Sequence, residues 1–136
     1  MHQLIQQIKR HKGFKSYPEY CPAGKLSIGY GRDLDSVGIR LEEAEILLAN
    51  DLNTLLGEAR QNINLEHCNP ARLAALINLI HLLGMERFLT FSRVIDAIEN
   101  RDFSRATDEL LLCLKAKYLP QYTAQLLLQL ESGQWQ

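Results

Sequence analysis

Between Gly13 and Gly38 the sequence repeatedly breaks its own regularity. Pro18, Pro22, Gly24, Gly29 and Gly31 fall so close together that no run between them is long enough to hold a helix. The short runs that survive, such as "KLSIGYG", have strand and turn composition, and "PAG" reads as the tight turn of a hairpin. On both sides of this segment apolar residues recur at helical spacing. The expected fold class is therefore α+β and mostly helical, with one small antiparallel hairpin near the N-terminus.

The flanking helices carry start and stop signals. Leu4, Ile5 and Ile8 recur at helical spacing in residues 2–12, and Gly13 stands where that helix should stop. "LEEAEILLANDLNTLLGEAR" aligns Ala44, Leu47, Leu48, Leu52, Leu55 and Ala59 along one face, and its length suits a helix linking two lobes. Asn69-Pro70 combines a capping side chain with proline at the first helical position. "ARLAALINLIHLLG" is apolar nearly all round and predicts a buried central helix ended by Gly84. Shorter helices are expected over 91–99, 103–115 and 120–132, the last ending at Gly133. Neither internal repeats nor low-complexity tracts occur.

With 136 residues, 46% of them hydrophobic and 23% charged, the chain suits one globular domain able to bury a core. No window approaches the ~18 apolar residues of a membrane span, so membrane insertion is not expected. "MHQLIQQIKRHK" lacks the apolar core and cleavage site of a signal peptide, which predicts synthesis in the cytoplasm. Cys21, Cys68 and Cys113 are too widely spaced for a metal or disulfide framework and read as reduced thiols, buried or half-buried; neither metal nor cofactor is expected. The net charge of −1 hides an asymmetry. Lys9, Arg10, Lys12, Lys15, Lys25 and Arg32 face one acid, Glu19, in residues 1–32, whereas residues 33–58 are strongly acidic. These read as solvated faces that partly neutralise each other, with an anionic partner at the N-terminal end as the alternative. Without a basic helix or interleaved aromatic residues, nucleic acid is not an expected partner.

Several stretches resemble the T-even phage type of lysozyme, the endolysins and related muramidases of glycoside hydrolase family 24. In that family the first helix ends in Glu-Gly, followed by a hairpin containing Thr-Ile-Gly-x-Gly. Here "HKGF" stands at the Glu-Gly and "LSIGYGRDL" matches the hairpin, with the intervening interval preserved without gaps. "EEAEILLANDL" is similar to the family's linker helix, "AALINLIHLLG" to its core helix, and "LESGQW" to its Thr-Gly-x-Trp ending. The resemblance covers nearly the whole chain. It implies one lysozyme-like two-lobe domain over 1–136. The N-terminal lobe would span about 12–60, with a linker helix at about 41–61. The C-terminal helical lobe would span about 62–136 together with helix 2–12.

It also implies a peptidoglycan substrate. Members cleave the bond between N-acetylmuramic acid and N-acetylglucosamine, using a glutamic acid as proton donor and an Asp or Cys with a Thr to hold the attacking water. Carried over by position, the acid falls on Lys12, the Asp or Cys on Cys21 and the Thr on Ser27. Substrate-binding positions fall on Gly31, Arg32, Phe88 and Tyr122. Glycoside hydrolysis needs a carboxylic acid whose pKa is raised. A lysine ammonium, ordinarily at ~10.4, is a poor acid at neutral pH and adds positive charge beside an oxocarbenium-like transition state. The arginine that pairs with the family's glutamate falls on Tyr122, and the upstream tryptophan is replaced by Lys115 and Tyr118. The expectation is a muramidase-family protein with impaired or absent hydrolysis, whose release to the cell wall would need a holin or another route. The alternatives are a non-enzymatic module that binds a protein partner, to which the surplus leucine of "AQLLLQLESG" points, and a muramidase whose acid has moved to Glu19.

Other residues have plainer readings. Glu19 is expected to face solvent, and Asp33 or Asp35 to cap the turn before Val37-Gly38. Cys21 reads as inherited at the water-positioning place rather than as a nucleophile. His81 reads as a hydrogen-bonded core histidine, His67 with Cys68 as a weak metal pair, and Phe88 with Phe91 as core.

Overall fold

The protein is described from a computed structural model that covers residues 1–114 and 119–136; Lys115 and Tyr118 lie outside the described residues. Among these residues the fold is α+β and mostly helical, as the sequence predicts. Helix α1 (His2–Lys12) is followed by strands β1 (Lys15–Tyr20), β2 (Leu26–Gly29) and β3 (Arg32–Asp33). Then come α2 (Leu41–Asn62), α3 (Pro70–Leu83), α4 (Met85–Phe88), α5 (Ser92–Glu99), α6 (Phe103–Cys113) and α7 (Tyr122–Ser132). The chain divides into two compact units, Met1–Leu47 and Leu48–Gln136, so the division falls inside α2. Helix α1 belongs to the first unit, with the hairpin, where the sequence expectation grouped it with residues 62–136.

In the first unit, β1, β2 and β3 form an antiparallel sheet in that order. Glu19 pairs with Ser27, and Ser27 with Asp33 across the next strand. The β1 register shifts between Lys15 and Glu19. Pro18 lies within that interval and has no N–H to donate, which is tolerable on an edge strand. The "PAG" turn forms as expected: the Gly24 N–H donates to Cys21 O at 2.8 Å, and the Cys21 N–H to Lys25 O at 2.9 Å. The two-residue β3 is an addition to the expected hairpin. Lys9, Arg10, His11 and Lys12 occupy the last turn of α1, where positive charge complements the helix dipole. No α1 residue is buried.

The second unit holds the apolar core. Phe88, Leu76, Leu79, Ile80, Ile98 and Leu130 are all essentially inaccessible. Helix α3 packs on α7, α5 on α6, and α6 on α7. Asn69 caps α3 as predicted, its Oδ1 accepting from the Arg72 N–H at 2.9 Å. Gly84 ends that helix, its N–H donating to Ile80 O. Cys21, Cys68 and Cys113 are unpaired and half-buried.

Burial separates residues that their spacing groups together, and it corrects the reading of α3 and His81. The α2 apolar face is buried only in its last turns: Ala59 is inaccessible and Leu55 packs against the core, while Leu47 and Leu48 remain about half exposed at 51% and 47%. Helix α3 is not buried all round, because Asn78 and His81, one turn apart, are exposed. His81 is therefore a surface residue and not a core histidine. In α7, Leu126, Leu127 and Leu130 are buried while Leu128 is 52% exposed, so the surplus leucine does reach the surface.

Candidate active site

The end of α1 and the hairpin enclose a cleft of about 380 Å³, lined by Lys12, Cys21, Ser27 and Gly31 together with Glu19 and Asp33. Lys12 is the last residue of α1, and Gly13 immediately turns the chain into the hairpin. The Lys12 side chain lies across the backbone of Gly31. A β-carbon added to Gly31 would meet Lys12 Cδ at 3.2 Å and Nζ at 3.5 Å, and Gly31 has a φ of +92°. Only glycine meets both demands, a left-handed backbone and a close side chain above it. Gly31 thus acts through its lack of a side chain.

Ser27 sits at the centre of the sheet, half-buried, and its hydroxyl donates a long 3.4 Å hydrogen bond to Glu19 O. Cys21 is half-buried at the start of the turn. Glu19 is exposed, as expected, yet it also lines the cleft, where its carboxylate faces the Lys15 ammonium at 3.6 Å. Asp33 is held firmly. Its Oδ1 accepts from the N–H groups of Asp35 and Ser36, both at 3.0 Å, and Oδ2 lies 3.2 Å from Lys25 Nζ. The Ser36 backbone hydrogen bond, against a smaller desolvation penalty and aided by Lys25, holds the Asp33 carboxyl below the usual carboxylate range. Asp33 is therefore an anion that braces the turn. Asp35 instead accepts from the Leu26 N–H at 2.8 Å, tying the turn back to β2.

Two proposed substrate-binding residues have other occupations. Arg32 donates from Nη1 to Glu43 Oε2 at 2.7 Å and to Gly38 O at 3.0 Å, so its guanidinium braces the start of α2. That hydrogen bond from Arg32 holds the Glu43 carboxyl below its ordinary range. Phe88 is fully buried, 5.9 Å from the Phe91 ring, and has no surface to offer a glycan. It is a core residue because its one-turn helix directs it inward. Tyr122 opens α7 in the second unit, 44% exposed. His67 and Cys68 do not make a metal pair. His67 Nδ1 accepts from Arg101 Nε at 2.8 Å and Nε2 faces Glu66 at 3.3 Å, while burial pushes the Cys68 thiol up.

Lys15 and Lys25 were absent from the sequence-derived site. For Lys15 the signal was Glu19 four residues on, with which it pairs at 3.6 Å across the register shift of β1.

The family model described as Phage lysozyme matches residues 9–124. The chain belongs to the phage lysozyme family. Consistent with this membership, it is 28% identical over 113 residues to the "Endolysin" of Acyrthosiphon pisum secondary endosymbiont phage 1, an alignment covering 81% of this chain and 76% of that protein. For this phage lysozyme family member the matched stretch includes the whole cleft between Lys12 and Asp33, and extends through Phe88 to Tyr122.

Proposed function

We propose that this chain is a peptidoglycan-directed muramidase-family protein whose cleft receives glycan strands and hydrolyses them weakly or not at all. What supports the reading is the surroundings of Lys12. Its amine lines the cleft with Cys21 and Ser27, the residues that the family resemblance makes the water-holding pair. Protonation of the glycosidic oxygen by a carboxylic acid is worth about a hundredfold to ten-thousandfold in rate. An ammonium beside a developing oxocarbenium ion removes that gain and adds repulsion. Neither carboxylate of the cleft supplies an obvious replacement. Asp33 is committed as an anion to Ser36 and Lys25. Glu19 lacks the apolar enclosure by which a general acid is kept protonated.

A second reading, a muramidase with its acid relocated to Glu19, draws on the presence of that side chain in the same cleft. No described helix is long and apolar enough to cross a membrane.

The test combines sedimentation with purified peptidoglycan and a turbidity assay on the same preparation. The expected result is binding above that of a basic control protein, with negligible clearing. Lys12→Glu is expected to restore weak clearing, since Tyr122 stands where the family's partner arginine would. Clearing by the unmodified chain comparable to that of a functional endolysin would overturn the reading, and its loss in Glu19→Gln would favour the relocated acid.

A further inference from the structure

The cleft contains more positive charge than its own carboxylates neutralise. Lys12, Lys15 and Lys25 line it against Glu19 and Asp33. Lys15 pairs with Glu19 at 3.6 Å, and Lys25 with Asp33 at 3.2 Å. Among the described residues Lys12 makes neither an ion pair nor a side-chain hydrogen bond, while its chain is laid along Gly31 in the cleft. His11 stands at the same rim and adds no opposing charge. The cleft, which Ser27 and Tyr20 also line, therefore carries one uncompensated ammonium.

We propose that the cleft is a receptor for a single carboxylate, with Lys12 as its counter-ion, and that the muramic acid side of peptidoglycan supplies that carboxylate. This rests on the glycan-binding reading above and makes it more specific. In place of a group that would break the glycan, the cleft has a group that recognises the negative charge which distinguishes muramic acid from glucosamine. The one-to-one arithmetic matters. A phosphate dianion would face a single free cation, whereas a carboxylate matches it, and a neutral chito-oligosaccharide leaves it unpaired. An ammonium is a compact point charge with rotatable donors, so it accepts a carboxylate without the fixed fork that arginine requires. The carboxylate can come from a free lactyl group on a strand without stem peptides, or from the stem peptide itself.

The experiment is a set of NMR titrations of the full chain at low salt, following cleft amides and the Lys12 side chain. The probes are a muramic-acid-containing tetrasaccharide with free lactyl carboxylates, the same saccharide converted to its methyl amide, chitotetraose, a muramoyl peptide whose lactyl group is amidated, and lactate alone. The acid saccharide is expected to bind about fivefold more tightly than its amide, the scale of one exposed ion pair. That preference should vanish in Lys12→Gln and shrink with salt. A preference for the amidated muramoyl peptide over chitotetraose, also lost in Lys12→Gln, would support the site and assign the carboxylate to the stem. Equal binding of acid and amide saccharides, together with no preference for the muramoyl peptide over chitotetraose, overturns the carboxylate receptor and leaves the glycan cleft standing. If no saccharide binds yet lactate still shifts the Lys12 signals, the receptor stands and the glycan reading falls. An unresponsive Lys12 in every titration sinks the proposal.

Discussion

Asp33 accepts backbone hydrogen bonds from Asp35 and Ser36 in the turn after β3 and meets Lys25, just before β2, at 3.2 Å. Because these contacts favour the carboxylate, its folded pKa lies below the unfolded one. The stabilisation is then fully present above the ordinary carboxylate pKa of ~3.9 and is lost as pH falls through the lowered folded value. Asp33→Asn is expected to lower the urea midpoint at neutral pH and to flatten its decline over roughly pH 5 to 2. Unchanged slopes in the two proteins would show that Asp33 is not the titrating brace. At this scale the sequence was a good guide to identity and a poor guide to posture. The interval from Lys12 to Ser27 marked residues that line one cleft, and the "SIGYG" glycines marked unusual backbone. That the Lys12 chain would lie across Gly31, or that Arg32 would turn to Glu43, depends on partners brought in by the turns.

Among the elements, α3 and α7 hold each other's ends. Asn69 caps the start of α3 and donates from Nδ2 to Gly133 O at 2.9 Å. Arg72 donates from Nε to Leu130 O and from Nη2 to Glu131 O, satisfying carbonyls that the end of α7 leaves open. Its guanidinium also sits 4.1 Å over the Phe103 ring. Gly133 closes α7 with a φ of +71°, and a β-carbon there would come within 2.9 Å of Asn69 Nδ2. Asn69→Ala should therefore cost about 1 kcal/mol for the lost cap, with more for the stranded Gly133 carbonyl. Gly133→Ala should cost about 1–2 kcal/mol from the left-handed backbone alone, plus the clash. Urea unfolding measures both, and a midpoint unchanged in either variant would contradict the shared-cap account. The cap and the terminal glycine were legible in the sequence; their meeting across the fold was not, because 64 residues separate them.

Across the whole molecule, burial is uneven. No residue from 1 to 58 is buried, whereas the inaccessible side chains begin at Ala59 and run through α7. Apolar burial is the main stabilising term, so the first unit has less of it to lose on opening. Native-state hydrogen exchange is expected to show β1–β3 amides exchanging through low-cost openings, while α3 and α7 exchange only with global unfolding. A single denaturant dependence shared by both sets would show one cooperative unit instead. The sequence by itself determined the fold class, the order of elements and nearly all of their ends. Helix stops, caps and tight turns are chemistry between residues a few positions apart. Only the tertiary structure decided which leucines of α2 and α7 are buried, that His81 faces outward, and that Lys12 alone among the cleft lysines is left without a carboxylate. Burial and charge pairing are set by neighbours distant in the chain, and residue spacing carries no record of which neighbours those will be.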